Sequence, residues 1–178
     1  MGLFLGIILQ NIYTSEQFPD LIIFNGIEYE IGVYPMETYF EIYPSRRPGR
    51  IGRNSALDRG YRARYEIINN ELILIDIETM RLNGNWRKIS NRHFKNRIKI
   101  NIFSGKINLF NGERTGIYMA FTPIYENYIV LNIIEGHMIS IDNINCFEYI
   151  ESIIKNYSED SFEHNYFSRL LNELYERK

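Results

Sequence analysis

Apolar and polar residues alternate with a period of two along much of this chain, as in strands that bury one face. Across residues 61–68, Tyr61, Ala63, Tyr65 and Ile67 alternate with Arg62, Arg64 and Glu66, and Asn69-Asn70 then turns the chain into residues 71–77. That returning run, ELILIDI, is apolar on both faces and is expected to lie centrally in a sheet. Residues 21–24 and 27–33 flank Asn25-Gly26, a dipeptide that takes the positive φ angles of a type I′ turn cheaply, which predicts a hairpin. A third hairpin is expected where Ile98, Ile100 and Ile102 alternate with Lys99 and Asn101, turn at Ser104-Gly105 and return over 106–110 to Asn111-Gly112. Residues 117–121 and 128–134 read as two further strands separated by the turn TPIYEN, where Pro123 cannot join a central ladder. Glu135-Gly136 then leads into 137–141, and the opening MGLFLGIIL reads as the first strand.

Helical spacing is confined to the end of the chain. Phe147, Ile150, Ile153, Ile154 and Tyr157 recur every three or four residues behind an Asn145 to Glu148 capping box. Asp160 with Glu163 repeats the capping pattern ahead of a stripe formed by Phe162, Tyr166, Phe167, Leu170, Leu171 and Leu174. The expectation is one α+β domain over 1–178: mainly antiparallel, hairpin-rich sheet over about 3–142, as two sheets or one strongly curved sheet, then amphipathic helices at about 145–157 and 160–176. Parallel βαβ winding is not expected. Residues 34–60, with Pro35, Pro44, Pro48 and three glycines after residue 48, read as a long and mobile surface excursion.

Composition sharpens this reading. Thirty Ile, 14 Tyr and 11 Phe against 3 Ala favour strands, and 45% hydrophobic residues exclude a disordered chain. The single Cys146 excludes a disulfide scaffold and fits a reducing cytoplasm. No Lys or Arg precedes Arg46, and the apolar opening is about half the ~20 residues that span a bilayer, so neither an export signal nor a membrane anchor is expected.

The net charge of -2 hides three blocks. Residues 1–45 carry six acids and no base, 46–114 carry 16 bases against six acids, and 115–178 carry four bases against ten acids. Within the basic block, Arg46, Arg47, Arg50, Arg53, Arg59, Arg62 and Arg64 fall within nineteen residues. Such a run can track phosphates, or it can pair with acids of the flanking blocks once the chain folds.

Patterns that carry chemistry are missing. His93, His137 and His164 stand far apart and outside any metal-ligand spacing, and no phosphate-cradling glycine loop or nucleophile elbow occurs, so neither a cofactor nor catalysis is expected. Cys146 has no basic sequence neighbour to lower its pKa, and it reads as a structural thiol. Asp76 and Glu78 share one face of a strand, but two carboxylates at that spacing also describe an ordinary wet edge.

Three stretches resemble known proteins: PMETYFE at 35–41, RGYRARYEIINNELILIDIE at 59–78 and PIYENYIVLNI at 123–133. They are similar to a group of small bacterial proteins that share a P-[LM]-E-x-Y-F segment and an R-G-Y-x-A-x-[YW]-E-I strand, to which no catalytic residue is assigned. In size, β-then-helix order and richness in Ile and Asn, the whole chain resembles immunity proteins of contact-dependent growth inhibition systems, of the type paired with a nuclease toxin. The resemblance implies a cytoplasmic inhibitor without turnover that binds one toxin domain and blocks its active site or nucleic-acid surface. The contact is expected at Tyr125, Glu126 and Tyr128, because Pro123 halts regular pairing there and aromatic residues anchor interfaces; the alternative is that Tyr125 and Tyr128 belong to the core. The alternative is a single-stranded nucleic-acid binder that uses the seven arginines together with exposed aromatic rings.

Overall fold

The structure, a computed structural model, describes residues 17–49, 57–81, 83–89, 97–119 and 122–177. The expected first strand at the opening of the chain, together with Arg50, Arg53 and His93, lies outside the described residues. The fold is α+β, with nine strands and three helices among the described residues. In chain order these are β1 (Asp20–Phe24), β2 (Ile27–Ile31), α1 (Pro35–Ile42), β3 (Arg62–Ile68), β4 (Glu71–Met80), β5 (Trp86–Lys88) and β6 (Ile98–Lys99). They are followed by β7 (Gly105–Met119), β8 (Thr122–Ile134), β9 (His137–Asn145), α2 (Cys146–Ile154) and α3 (Phe162–Glu176). The strands form a single sheet in the order β2-β1-β3-β4-β9-β8-β7, with β5 and β6 also paired to β4.

The first compact unit comprises the chain up to Leu109 together with Leu131–Ile141. Asn25 and Gly26 take φ of 50° and 78°, and Asn69 and Asn70 take 51° and 63°, so both expected turns close antiparallel hairpins. β4 is central, as its two apolar faces imply, with β3, β5, β6 and β9 all paired to it. Tyr61, Ala63 and Tyr65 are fully buried while Arg62, Arg64 and Glu66 remain partly exposed, which is the alternation read from the sequence. One ladder departs from the antiparallel expectation: β1 runs parallel to β3, pairing Leu21 with Arg64, Ile22 with Tyr65 and Ile23 with Glu66.

Two further expectations are corrected in this unit. The excursion expected over 34–60 contains α1 and a 3-10 turn at Pro44–Arg46, because Pro35 presets the first helical turn and Met36 and Phe40, four residues apart, bury on one face. The strand expected over 98–102 shrinks to β6, which pairs with β4.

The second unit comprises Phe110–Val130 and Asp142–Lys178. Asn145 caps α2 through the complete capping box: its side chain accepts from the Glu148 N–H, and the Glu148 side chain accepts from the Asn145 N–H. The cap of α3 is Ser161, one residue past the expected Asp160, because the Ser161 hydroxyl accepts from the His164 N–H. Cys146, Ile150 and Ile153 of α2 and Phe167, Leu170 and Leu174 of α3 are buried at helical spacing. No helix among the described residues is long and apolar enough to cross a membrane.

Strands β7, β8 and β9 each contribute residues to both units. β7 continues through Asn111-Gly112, where a turn was expected, since Gly112 and Gly116 take φ of 86° and 78° inside the strand. The TPIYEN turn is likewise absent, and those residues open β8, with Pro123 at its second position.

Candidate functional site

A buried polar constellation lies in the first unit, where the two motif segments meet around Asp20. Asp20 opens β1 and is completely buried. Its Oδ1 accepts from the Ala63 N–H at 2.9 Å and from Arg59 Nη1 at 3.0 Å, and its Oδ2 accepts from the Tyr65 hydroxyl at 3.3 Å. The parallel β1–β3 ladder brings Ala63 and Tyr65 to it, and Arg59 comes from the segment just before β3.

Arg59 also donates through Nη2 to the Phe18 carbonyl at 2.7 Å, and its guanidinium lies 3.6 Å from the centre of the Tyr34 ring. The Tyr65 hydroxyl in turn accepts from the Met36 N–H at 3.1 Å, one of the amides that the first turn of α1 leaves without a helical partner. Glu37 supplies a second knot. It accepts the Tyr61 hydroxyl at 2.6 Å and receives both nitrogens of the Arg47 fork, at 3.1 and 2.7 Å. Phe40 packs edge-on against Tyr61 at 5.1 Å.

Burial governs the protonation of these groups. It pushes the Asp20 carboxyl above the usual carboxylate range, against the pull of Arg59. Burial alone would lower the Arg59 guanidinium, but the Asp20 charge, Tyr61, Tyr34 and the hydrogen bond to Asp20 together outweigh it and Arg59 stays a cation. The Tyr61 and Tyr65 phenols are raised well above 10 by burial and by the nearby Asp20 charge, so both remain protonated donors. Every oxygen of Asp20 and Glu37 faces a donor, which suits the cluster to clamping α1 against β1 and β3.

The expected nucleic-acid arginines are spread among carboxylates. Arg62 bonds Glu78 at 2.6 Å and lies 4.0 Å from the Trp86 ring, Arg64 pairs with Glu28, and Arg47 and Arg59 belong to the cluster just described. Arg46 bonds the Tyr39 hydroxyl and stacks on Tyr43 at 4.8 Å. The candidate acids Asp76 and Glu78 are held separately, Asp76 by Lys88 and Glu78 by Arg62. Among the described residues no group of three His, Cys, Asp or Glu side chains could hold a metal ion.

The expected partner contact lies in the second unit and divides. Tyr128 is a core residue: its ring stacks on Tyr149 at 4.0 Å, and its hydroxyl accepts from the Tyr125 N–H at 3.1 Å. Tyr125 is half-buried and stacks on Phe110 at 4.8 Å. Glu126 alone is exposed, its Oε2 within 3.4 Å of the Glu113 N–H. The period-two alternation breaks here: positions 124 and 128 are buried, while Glu126 and Asn127 between them are both exposed, so Glu126 stands where the strand meets water.

Sequence reasoning missed Asp20, Tyr34, Glu37 and Tyr65 as one site. The signal available was the joint presence of the P-M-E-x-Y-F and R-G-Y-x-A-x-Y segments, whose charged and phenolic residues turn out to be mutual partners. Compared with known families, with curated proteins and with solved structures, the chain matches none.

Proposed function

We propose that this chain is an immunity protein: a cytoplasmic inhibitor that binds the nuclease toxin of a contact-dependent growth inhibition system and covers its active site or nucleic-acid surface. The supporting observation is how charge is distributed between inside and outside. Arg47, Arg59, Arg62 and Arg64 are each engaged with a carboxylate of the same chain. Residues 115–154, by contrast, carry five acids and no Lys or Arg, and Glu126, Glu135 and Asp142 of that stretch are exposed. A nuclease must present a basic surface to nucleic acid, and an acidic surface complements it, speeding encounter and fixing orientation.

The inhibitor acts by occupation, so it requires neither turnover nor a cofactor. A single-stranded nucleic-acid binder needs its arginines turned outward beside exposed rings, and the internal ion pairs count against that alternative. The test is co-expression with the toxin gene encoded beside it. Growth should be restored, and the two proteins should leave gel filtration as one complex. Continued toxicity despite soluble expression refutes the reading.

A further inference from the structure

Strand β2 closes one end of the sheet. In the order β2-β1-β3-β4-β9-β8-β7 it has β1 on one side and, among the described residues, no strand on the other. Every residue of β2 is in register with β1, from Phe24↔Ile27 at the turn to Asp20↔Ile31. The two-residue turn at Asn25-Gly26, with φ of 50° and 78°, makes Phe24 and Ile27 the pair that exchanges main-chain hydrogen bonds. By alternation Tyr29 and Ile31 also face β1, while Glu28 and Glu30 turn their N–H and carbonyl groups away from the sheet. Among the described residues, no hydrogen bond from outside the β1–β2 hairpin reaches the main chain of Glu28 or Glu30.

The side chains divide by face. Ile27, Tyr29 and Ile31 share the face of their partners Phe24, Ile22 and Asp20, and cover thins along it: Ile31 is buried, Tyr29 half-buried and Ile27 57% exposed. Glu28 and Glu30 stand exposed on the opposite face. Glu28 is held by Arg64, whereas Glu30 has no ion pair among the described residues. A free edge is a template for another strand, and charge on it decides which strand is admitted. In any antiparallel twofold pairing of β2 with a second β2, the outward residues that meet are again Glu28 and Glu30, whatever the register. Like charges directly opposite one another are destabilising, so the edge rejects a second copy of this chain. A strand with Lys or Arg at those positions turns the repulsion into attraction, and its alternate apolar residues cover Ile27 and Tyr29.

We infer that the free edge of β2 is a docking site for an extended segment of a partner protein in which Lys or Arg alternates with apolar residues. The N–H and carbonyl groups of Glu28 and Glu30 hold the backbone of that segment, and the unpaired Glu30 carboxylate sets its charge. The inference goes beyond the immunity reading and stands without it, because the partner is defined by its chemistry alone.

The probe is a disulfide-closed peptide hairpin whose free strand alternates Lys with Val, and the control is the same hairpin with Glu in place of Lys. Closing the hairpin orders the strand before it binds, which lowers the entropic cost of docking. In an NMR titration of the full chain, the Lys hairpin should shift the Glu28 and Glu30 amides, slow their hydrogen exchange, and bind more weakly as salt rises. The Glu30→Lys variant should keep the wild-type melting temperature, bind the Lys hairpin at least about tenfold more weakly, and gain affinity for the Glu hairpin. Should that variant fold poorly, Glu30→Gln removes the charge alone and should weaken binding of the Lys hairpin in the same direction. Equal affinity of wild-type protein for the two hairpins, no binding of the Lys hairpin at millimolar concentration, or shifts that gather away from β2 each overturn the proposal. A wild-type dimer that protects the Glu28 and Glu30 amides assigns the edge to a second copy and overturns it as well. The immunity reading is judged separately, by neutralisation of the toxin.

Discussion

Replacing Asp20 by Ala removes the acceptor on which the motif cluster converges. Arg59 is left with its side chain only 9% exposed and without its carboxylate, and the Ala63 N–H and Tyr65 hydroxyl lose their acceptor. Breaking a buried ion pair from one side costs about 3–5 kcal/mol, and each orphaned donor costs about 1–3 kcal/mol. Because these contributions overlap, the expected loss is about 4–6 kcal/mol, a large part of the about 5–15 kcal/mol that stabilises a typical domain. Adding Arg59→Met to the same chain removes the stranded cation and fills its volume, so the double variant should recover about 2–3 kcal/mol. Urea unfolding followed by the fluorescence of Trp86, the single tryptophan, measures each corner of the cycle. The Glu28–Arg64 pair, with side chains 39% and 31% exposed, is the control and should couple by no more than about 0.5 kcal/mol. If the Asp20–Arg59 coupling is no larger than the control, the buried cluster is not what fastens α1 to the sheet.

Two further outcomes follow from the geometry. A Cβ at Gly136 would come 2.3 Å from the Ile100 carbonyl oxygen at a φ of +74°, whereas one at Gly26 (φ +78°) meets nothing within 4 Å. Gly136→Ala should therefore cost at least about 1 kcal/mol more than Gly26→Ala in urea unfolding, and equal costs would contradict the close approach. Tyr61, Tyr65 and Tyr128 are all raised from a free value of 10.0, first of all by burial. The stability they contribute is complete below pH 10 and declines as pH climbs from there toward their folded values, by about 1.4 kcal/mol per pH unit for each phenol. Tyrosinate absorbance should show these rings silent until the protein unfolds, and Tyr61→Phe should make stability less steep above pH 10.

What the sequence made legible is what neighbours in the chain decide between themselves. Asn25-Gly26 and Asn69-Asn70 set their turns through their own backbone preferences, and Asn145 with Glu148 closes its cap within three residues. Helix α1 was hidden because eight residues bracketed by Pro35 and Pro44 look like a loop until Met36 and Phe40 find a core. β7 was cut in two on paper because Asn-Gly signals a turn, yet Gly112 tolerates its positive φ within a strand. Glu126 could be read as exposed, but the choice for Tyr128 between core and partner contact stayed open, because it depends on Tyr149 arriving from α2. The Asp20 cluster is the extreme case. A lone acid before Leu-Ile-Ile-Phe looks like a strand end, and its partners stand 39 to 45 residues away.

That separation has a bearing on how the protein is made. Ribosomes deliver about 5–20 residues per second, so the 45 residues between Asp20 and Tyr65 take on the order of 2–9 s to emerge. During that interval the β1 and β2 segments have been made and β3 has not, so Asp20 has none of the three donors that later hold it. A charge at that place keeps a naked strand edge from recruiting other nascent chains. When Arg59, Ala63 and Tyr65 arrive, they neutralise and bury the same carboxylate, so one side chain protects the unfinished sheet and then seals the finished one.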